Sequence, residues 1–173
     1  MPIDPVACEG CGFLWAEVEP DDAPGRLAAA VAAFIEQLEV AGDAGLLRPS
    51  PERWSIVEYT GHLRDALLSM RERIIVASVT ELPTGTPIYR EERIELGFAR
   101  LDTPEEVAVE LEVATGLLLK TMLTLPDGFH DRPLIYSSNF SSPTTIAWVI
   151  AQAVHEAEHH LGDVTNNGRL RRG

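Results

Sequence analysis

Four stretches of helical periodicity, each opened by its own start signal, constrain what this chain can fold into more than any other feature. The first, over 22–40, has Pro24 in its opening turn, carries Leu27, Val31, Phe34, Ile35 and Leu38 at the spacing of one helix face, and is followed by Gly42. The second starts at the capping box Ser55-x-x-Glu58 and continues to Val79, just before Thr80-Glu81-Leu82-Pro83. The third opens on Thr103-Pro104-Glu105-Glu106, which supplies an N-cap, a proline at the first helical position and a capping-box glutamate, and runs to Leu123. The fourth opens on Ser142-Pro143 and runs to the stop signal Asn167-Gly168. No stretch alternates long enough to build a sheet, although Leu134-Ile135-Tyr136 reads as a short extended piece. The expectation is an all-α four-helix bundle, one domain over 1–173, with residues 1–20 as an N-terminal arm. The connections 46–54, 83–102 and 126–141 are rich in Pro, Gly and Ser. The last two are longer than a simple up-and-down bundle needs and suggest crossovers or lids. Within the second, Arg90-Glu91-Glu92-Arg93-Ile94-Glu95 reads as a short helix with a solvated charged face.

With 173 residues and 45% hydrophobic side chains the chain can bury a core without disulfide or metal staples. A formal net charge of −13 argues against nucleic acid and against anionic membrane surfaces as partners. Arg169, Arg171 and Arg172 form a short cationic tail whose simplest role is to complement the dipole at the end of the fourth helix. No apolar run reaches transmembrane length, and Met1-Pro2-Ile3-Asp4-Pro5 lacks the regions of a signal peptide, so a cytoplasmic location is expected. Lys120 is the one lysine against thirteen arginines, the bias of a GC-rich genome.

His155-Glu156-Ala157-Glu158-His159-His160 packs three of the five histidines and two carboxylates into under two helical turns. Side chains at i and i+4 stand about 6 Å apart, close enough to share a divalent ion. Read literally, residues 155–159 match HExxH, the motif of zinc proteases. Helix phase opposes that reading. From the centre of the face made by Ile146, Val149, Ile150, Ala153, Val154, Ala157, Leu161 and Val164, His160 lies about 55° away and Glu156 about 95°, but His155 and His159 about 155–165° away, beside Gln152 and Asp163. The zinc-protease pair is thus expected to point outward, and Glu156-x-x-x-His160 is the inward-leaning pair. His62 stands about 90° from the centre of the apolar face of the second helix, at the margin of the core. A metal site of His62, Glu156 and His160 at the mouth of the bundle follows, with His155 and His159 as alternates and Asp65 either orienting His62 or simply exposed, about 150° from the apolar centre of its helix. Trp54, Trp148 and Tyr59 are candidates for lining a substrate pocket, with a hydrophobic staple as the plainer role for Trp54. Arg64 and Arg132 could each grip a carboxylate.

Cys8-Glu9-Gly10-Cys11 is a CxxC without a second CxxC to complete a four-thiolate zinc site. Three readings stand: an ordered arm docked on the bundle through Gly12-Phe13-Leu14-Trp15, a second metal site completed by His130 or a neighbouring chain, and a redox pair.

The run Trp54-Ser55-Ile56-Val57-Glu58-Tyr59-Thr60-Gly61-His62-Leu63-Arg64-Asp65 resembles the start of the second helix in DinB-like proteins, and His155 to Val164 looks like their fourth-helix metal motif. With the length and the long connections, the resemblance covers nearly the whole chain. It implies a four-helix bundle of DinB-like topology, a homodimer, and a divalent ion, zinc or nickel, held by three side chains. His62 is the implied ligand from the second helix, and alignment on the terminal His-Leu-Gly-Asp gives Glu156 and His160 from the fourth, in agreement with helix phase. Where relatives carry His-x-x-x-His, this chain has Glu-x-x-x-His. The superfamily is similar to mycothiol-dependent maleylpyruvate isomerase and to bacterial thiol transferases. The implied function is therefore a metal-dependent S-transferase or isomerase acting on a small-molecule thiol and an electrophilic substrate, with mycothiol the natural thiol if the genome is actinobacterial. Two other classes compete with an enzyme: a non-catalytic metal- or small-ligand-binding bundle acting as a dimer, and a helical interaction protein that holds no metal.

Overall fold

The computed structural model describes residues 7–170, and for 167–170 the backbone alone. Residues 1–5, Arg171, Arg172 and the side chain of Arg169, all noted above, lie outside the described residues. Four long helices dominate: α1 (Ala23–Ala41), α2 (Ile56–Val79), α4 (Pro104–Leu123) and α5 (Ile146–Leu170), with the one-and-a-half-turn α3 (Arg90–Glu95) between α2 and α4.

Local chemistry sets most of the boundaries. Ser55 Oγ accepts from Glu58 N at 3.1 Å while Glu58 Oε2 accepts from Ser55 N at 2.7 Å, so α2 begins at a closed capping box. Thr103 and Glu106 close the same box on α4, with Pro104 at its first position. Each such cap is worth about 1 kcal/mol. α5 departs from its expected start. Thr144–Thr145 (β2) pairs antiparallel with Pro133–Leu134 (β1), which holds the chain extended past Ser142-Pro143, and the first helical turn is capped by Thr145 Oγ1 accepting from Trp148 N at 3.2 Å. At the far end α5 runs through Gly168 to Leu170, because intrahelical bonding continues across the glycine.

The four helices form a ring in which α1 packs against α5 and α4, and α2 against α4 and α5. Consecutive helices α1 and α2 therefore sit largely across a diagonal, as do α4 and α5. This explains the long α4–α5 connection, which must cross an end of the bundle. The long α2–α4 connection joins neighbours, so its length is spent on folding α3 and the turn at Phe98–Leu101 back over α2. Phe34, Leu27, Leu38, Leu63, Leu67, Met70, Ile74, Leu111, Leu118 and Ile146 fill the centre, each fully buried. Buried Arg73 ties both long connections to α2: its Nε donates to Tyr136 O at 2.7 Å, it also bonds Thr86 O, and its guanidinium lies 4.6 Å from the centre of the Tyr136 ring. Since α2 and α5 are neighbours, His62 near the start of one faces Glu156 and His160 near the middle of the other.

Candidate metal centre

His62 Nε2 and His160 Nε2 each lie 3.3 Å from one atom, Oε2 of Glu156. The two imidazoles meet edge to face with centroids 5.0 Å apart. Both are buried, and Glu156 is only slightly more open. An ion bound tetrahedrally at about 2.05 Å separates its donors by about 3.3 Å, so the two nitrogen–oxygen separations already match the edges of such a site. Donor chemistry agrees: two imidazoles and a carboxylate are a borderline set suited to zinc and neighbouring divalent ions. The residues present thus fit a divalent metal, with an incomplete protein shell.

The carboxylate is steered from its other side. Trp15 Nε1 donates to Gln152 Oε1 at 2.7 Å, and Gln152 Nε2 donates to Glu156 Oε1 at 2.7 Å. Oε1 is thereby occupied and Oε2 is left for the two histidines. His160 Nδ1 bonds Asp163 Oδ2 at 2.9 Å, which fixes the tautomer that presents Nε2 to the site. Electrostatics follow from this packing. Burial alone would raise the carboxyl of Glu156, but hydrogen bonds from His160 and His62 hold it well below the usual carboxylate range. Burial would likewise depress His160, yet its bonds to Asp163 and Glu156 lift it to about 9. Without an ion the site is therefore a carboxylate paired with an imidazolium at neutral pH.

Aromatic rings wall the site. Trp54, the residue before the Ser55 cap, packs on Tyr59 with centroids 5.2 Å apart, which is the staple expected of it, and the same ring stands 5.6 Å from His62. Tyr59 stands 5.3 Å from His160. Burial and then the charge of Asp163 push the Tyr59 phenol up, so it keeps its proton.

Several sequence expectations need correction. His155 does not point to solvent: it is buried beneath Phe13 and Trp15, with centroids 5.0 and 4.7 Å away, because the arm packs on the very face that the phase of α5 alone left open. His159 is half-buried on the same side. Asp65 does not orient His62. Arg64 and Arg93 hold its two oxygens at 2.9 and 2.7 Å, and His62 Nδ1 has no partner among the described residues. Arg64 pairs with Asp65, Asp102 and Glu110, and Arg132 donates to Ala77 O, so both serve the scaffold rather than a substrate. Trp148 lies away from the site, stacked on Trp15 and edge-on to Tyr136. His130 lies in the turn Phe129–Asp131, whereas the cysteines gather with His155 and His159. The sequence reading missed Gln152 and Asp163 as supports. Their signal was their spacing, four residues before Glu156 and three after His160 on one helix.

Comparison with known proteins agrees with this architecture. The model of the DinB superfamily matches residues 19–164. The chain belongs to the DinB superfamily. Among solved DinB-like structures, YfiT from Bacillus subtilis, described as a probable metal-dependent hydrolase with an unusual four-helix bundle topology, superposes with a TM-score of 0.79 at 20% identity, covering 87% of this chain and 86% of that one. The mycothiol-dependent maleylpyruvate isomerase superposes with a TM-score of 0.70 at 13% identity over 88% of this chain and 63% of its own. A conserved protein from Enterococcus faecalis gives 0.62 at 18% identity over 87% and 95%. No curated protein matches the chain by sequence. At these identities the likeness is one of fold. No helix among the described residues is long and apolar enough to cross a membrane.

Proposed function

We propose that this DinB-superfamily protein is a divalent-metal-dependent enzyme in which His62, Glu156 and His160 hold the ion, and that it uses a low-molecular-weight thiol of the mycothiol type in S-transfer or isomerisation of an electrophilic substrate. The observation that carries the reading is the convergence of His62 Nε2 and His160 Nε2 on Glu156 Oε2, each at 3.3 Å. When bound, zinc or nickel in such a three-donor set supplies Lewis acidity at an open coordination position, which favours the ionised form of an entering thiol.

The chain's own residues prepare that position. Gln152 holds Glu156 Oε1, so the carboxylate cannot rotate away from the histidines. Asp163 keeps the proton of His160 on Nδ1 and leaves Nε2 as the donor. Trp54 and Tyr59 exclude water from the histidine rings, and the protonated Tyr59 adds a neutral polar group beside a ligand. A small crevice between α2 and the folded-back connection, lined by Gly61, His62, Asp65, Arg93 and Phe98, reaches His62 with room for about one water.

The name of one structural neighbour supports metal dependence, and that of another supports thiol dependence. A second reading, a metal- or ligand-binding bundle without turnover, is favoured by the burial of the donors, with side-chain exposures of 4% for His62 and 7% for His160. The deciding experiment offers the zinc- or nickel-loaded protein mycothiol and a generic electrophile and follows loss of free thiol. Consumption above the uncatalysed rate, abolished by His62→Ala, supports the enzyme. Metal binding with neither loss of thiol nor thiol-dependent isomerisation of the electrophile supports the binder. A homodimer is also proposed, checked by light scattering of the purified chain.

A further inference from the structure

The N-terminal arm precedes the part of the chain that matches the family, which begins at residue 19, and it places a second donor cluster on the neighbouring side of α5, about 100° around from the first. Sγ of Cys8 and Cys11 and ring nitrogens of His155 and His159 all lie within 4.8 Å of one another. Cys8 Sγ stands 3.7 Å from His159 Nδ1. A tetrahedral zinc ion with bonds of about 2.3 Å to sulfur and 2.05 Å to nitrogen separates its donors by about 3.3–3.8 Å, so the cluster needs only a slight contraction to close around one.

Three independent features point the same way. First, His155 is nine-tenths buried, yet neither of its ring nitrogens has a hydrogen-bond partner. A buried imidazole with both nitrogens idle is costly unless something is bound there. Second, the arm is folded to turn both thiols toward α5. Cys8 O accepts from Gly12 N at 2.7 Å and Cys8 N donates to Phe13 O at 2.8 Å, and the reversal passes through Gly12 at φ +75°, where a side chain would be strained. A Cβ on Gly10 would stand 3.1 Å from His159 Cε1, so the loop lies close against that ring. Third, the outer nitrogen of His159, Nε2, faces Asp163 Oδ2 at 3.8 Å, the carboxylate that also bonds His160. Ligating histidines commonly have such a carboxylate behind them.

We propose that Cys8, Cys11, His155 and His159 form a structural zinc site that staples the arm to α5. Two thiolates and two imidazoles fill a tetrahedral shell, so the site is closed and not catalytic. Binding displaces the protons of both thiols to solvent. The staple also reaches the first centre. Trp15, four residues after Cys11, is the indole that holds Gln152 on Glu156. Zinc in the arm would therefore fix the carboxylate of the other site from a distance.

Cobalt loading of the chelator-stripped full chain, kept reduced, tests this. The proposal expects sulfur-to-cobalt charge-transfer absorption, which the donors at His62, Glu156 and His160 cannot produce. Cys11→Ser, at an exposed position, should at least halve the band, and Cys8→Ser/Cys11→Ser, which leaves no thiolate, should abolish it and lower the bound metal by about one ion per chain. His159→Ala, at a half-buried position, should weaken it at least tenfold in affinity. A His62→Ala/His160→Ala variant should keep the band, so failure of the first site is told apart from failure of this one. Absence of the band in the wild type, its survival in Cys8→Ser/Cys11→Ser, or recovery of a Cys8–Cys11 disulfide from zinc-replete protein would overturn the proposal.

Discussion

Gln152→Leu removes no proposed ligand yet should damage the metal centre. The residue is buried, of nearly the same size as leucine, and makes two hydrogen bonds of 2.7 Å, one from Trp15 Nε1 and one to Glu156 Oε1. Its loss strands a buried indole N–H, at about 1–3 kcal/mol, and takes a donor from a buried carboxylate, at about 1.5–3 kcal/mol. Against this stands about 1 kcal/mol regained by burying an apolar side chain. The expected net loss of stability is about 3 kcal/mol, read from urea denaturation in the presence of chelator. With Oε1 free, Glu156 can rotate away from the histidines, and affinity for zinc should fall about 10–100-fold, the usual cost of removing such a support. A chelator-competition titration measures this. Trp15→Phe should cost less by itself, and the two changes should be less than additive in a double-mutant cycle, because they break one chain of bonds. Stability within about 0.5 kcal/mol of wild type together with unchanged zinc affinity would refute the reasoning, since Glu156 would then be held by something else.

Further outcomes follow from the same structure. In the metal-free protein His160 is lifted to about 9, so its contribution to stability is complete below about 6.5 and is lost as pH rises through about 9; an ion at this site must displace that proton, and its affinity should rise about tenfold per pH unit up to the same point. His160→Gln should flatten both profiles. Burial would raise Glu58, but Arg48 and the Ser55 backbone more than offset it and lower its carboxyl, so Glu58 stabilises the fold above about 4.5 and loses that effect as pH falls further; Glu58→Gln should reduce the steepness of acid unfolding followed by circular dichroism. Arg73→Met leaves Tyr136 O and Thr86 O without their donor and should cost about 3 kcal/mol, with the two long connections opening to hydrogen exchange before the helices do.

Much of this architecture was legible in the sequence because it is encoded locally. The capping boxes at Ser55 and Thr103 announce α2 and α4 within a turn, and the apolar phase of α5 turns Glu156 and His160, rather than their histidine neighbours, toward His62 on α2. What failed was non-local. Phase measured on one helix cannot know that residues 13–15, more than a hundred positions away, will cover His155. Ser142-Pro143 is a good helix start in isolation, and only the pairing of Thr144–Thr145 with Pro133–Leu134 delays α5 to Ile146. Asp65 has the right spacing to support His62, but Arg64 and Arg93 compete for it and hold it. By phase alone Gln152 and Asp163 read as polar residues on an outward face. Their roles depend on Trp15 and on the rotamer of His160, which no periodicity records.

The most direct measurement of the central claim is metal content per chain by mass spectrometry. It is made on untagged protein offered zinc and then dialysed, in a Cys8→Ser/Cys11→Ser background that removes both thiolates of the arm. About one ion per chain, lost when His62, Glu156 and His160 are all replaced by alanine, is the predicted result. An ion retained by the triple variant, or none in either protein, would contradict it.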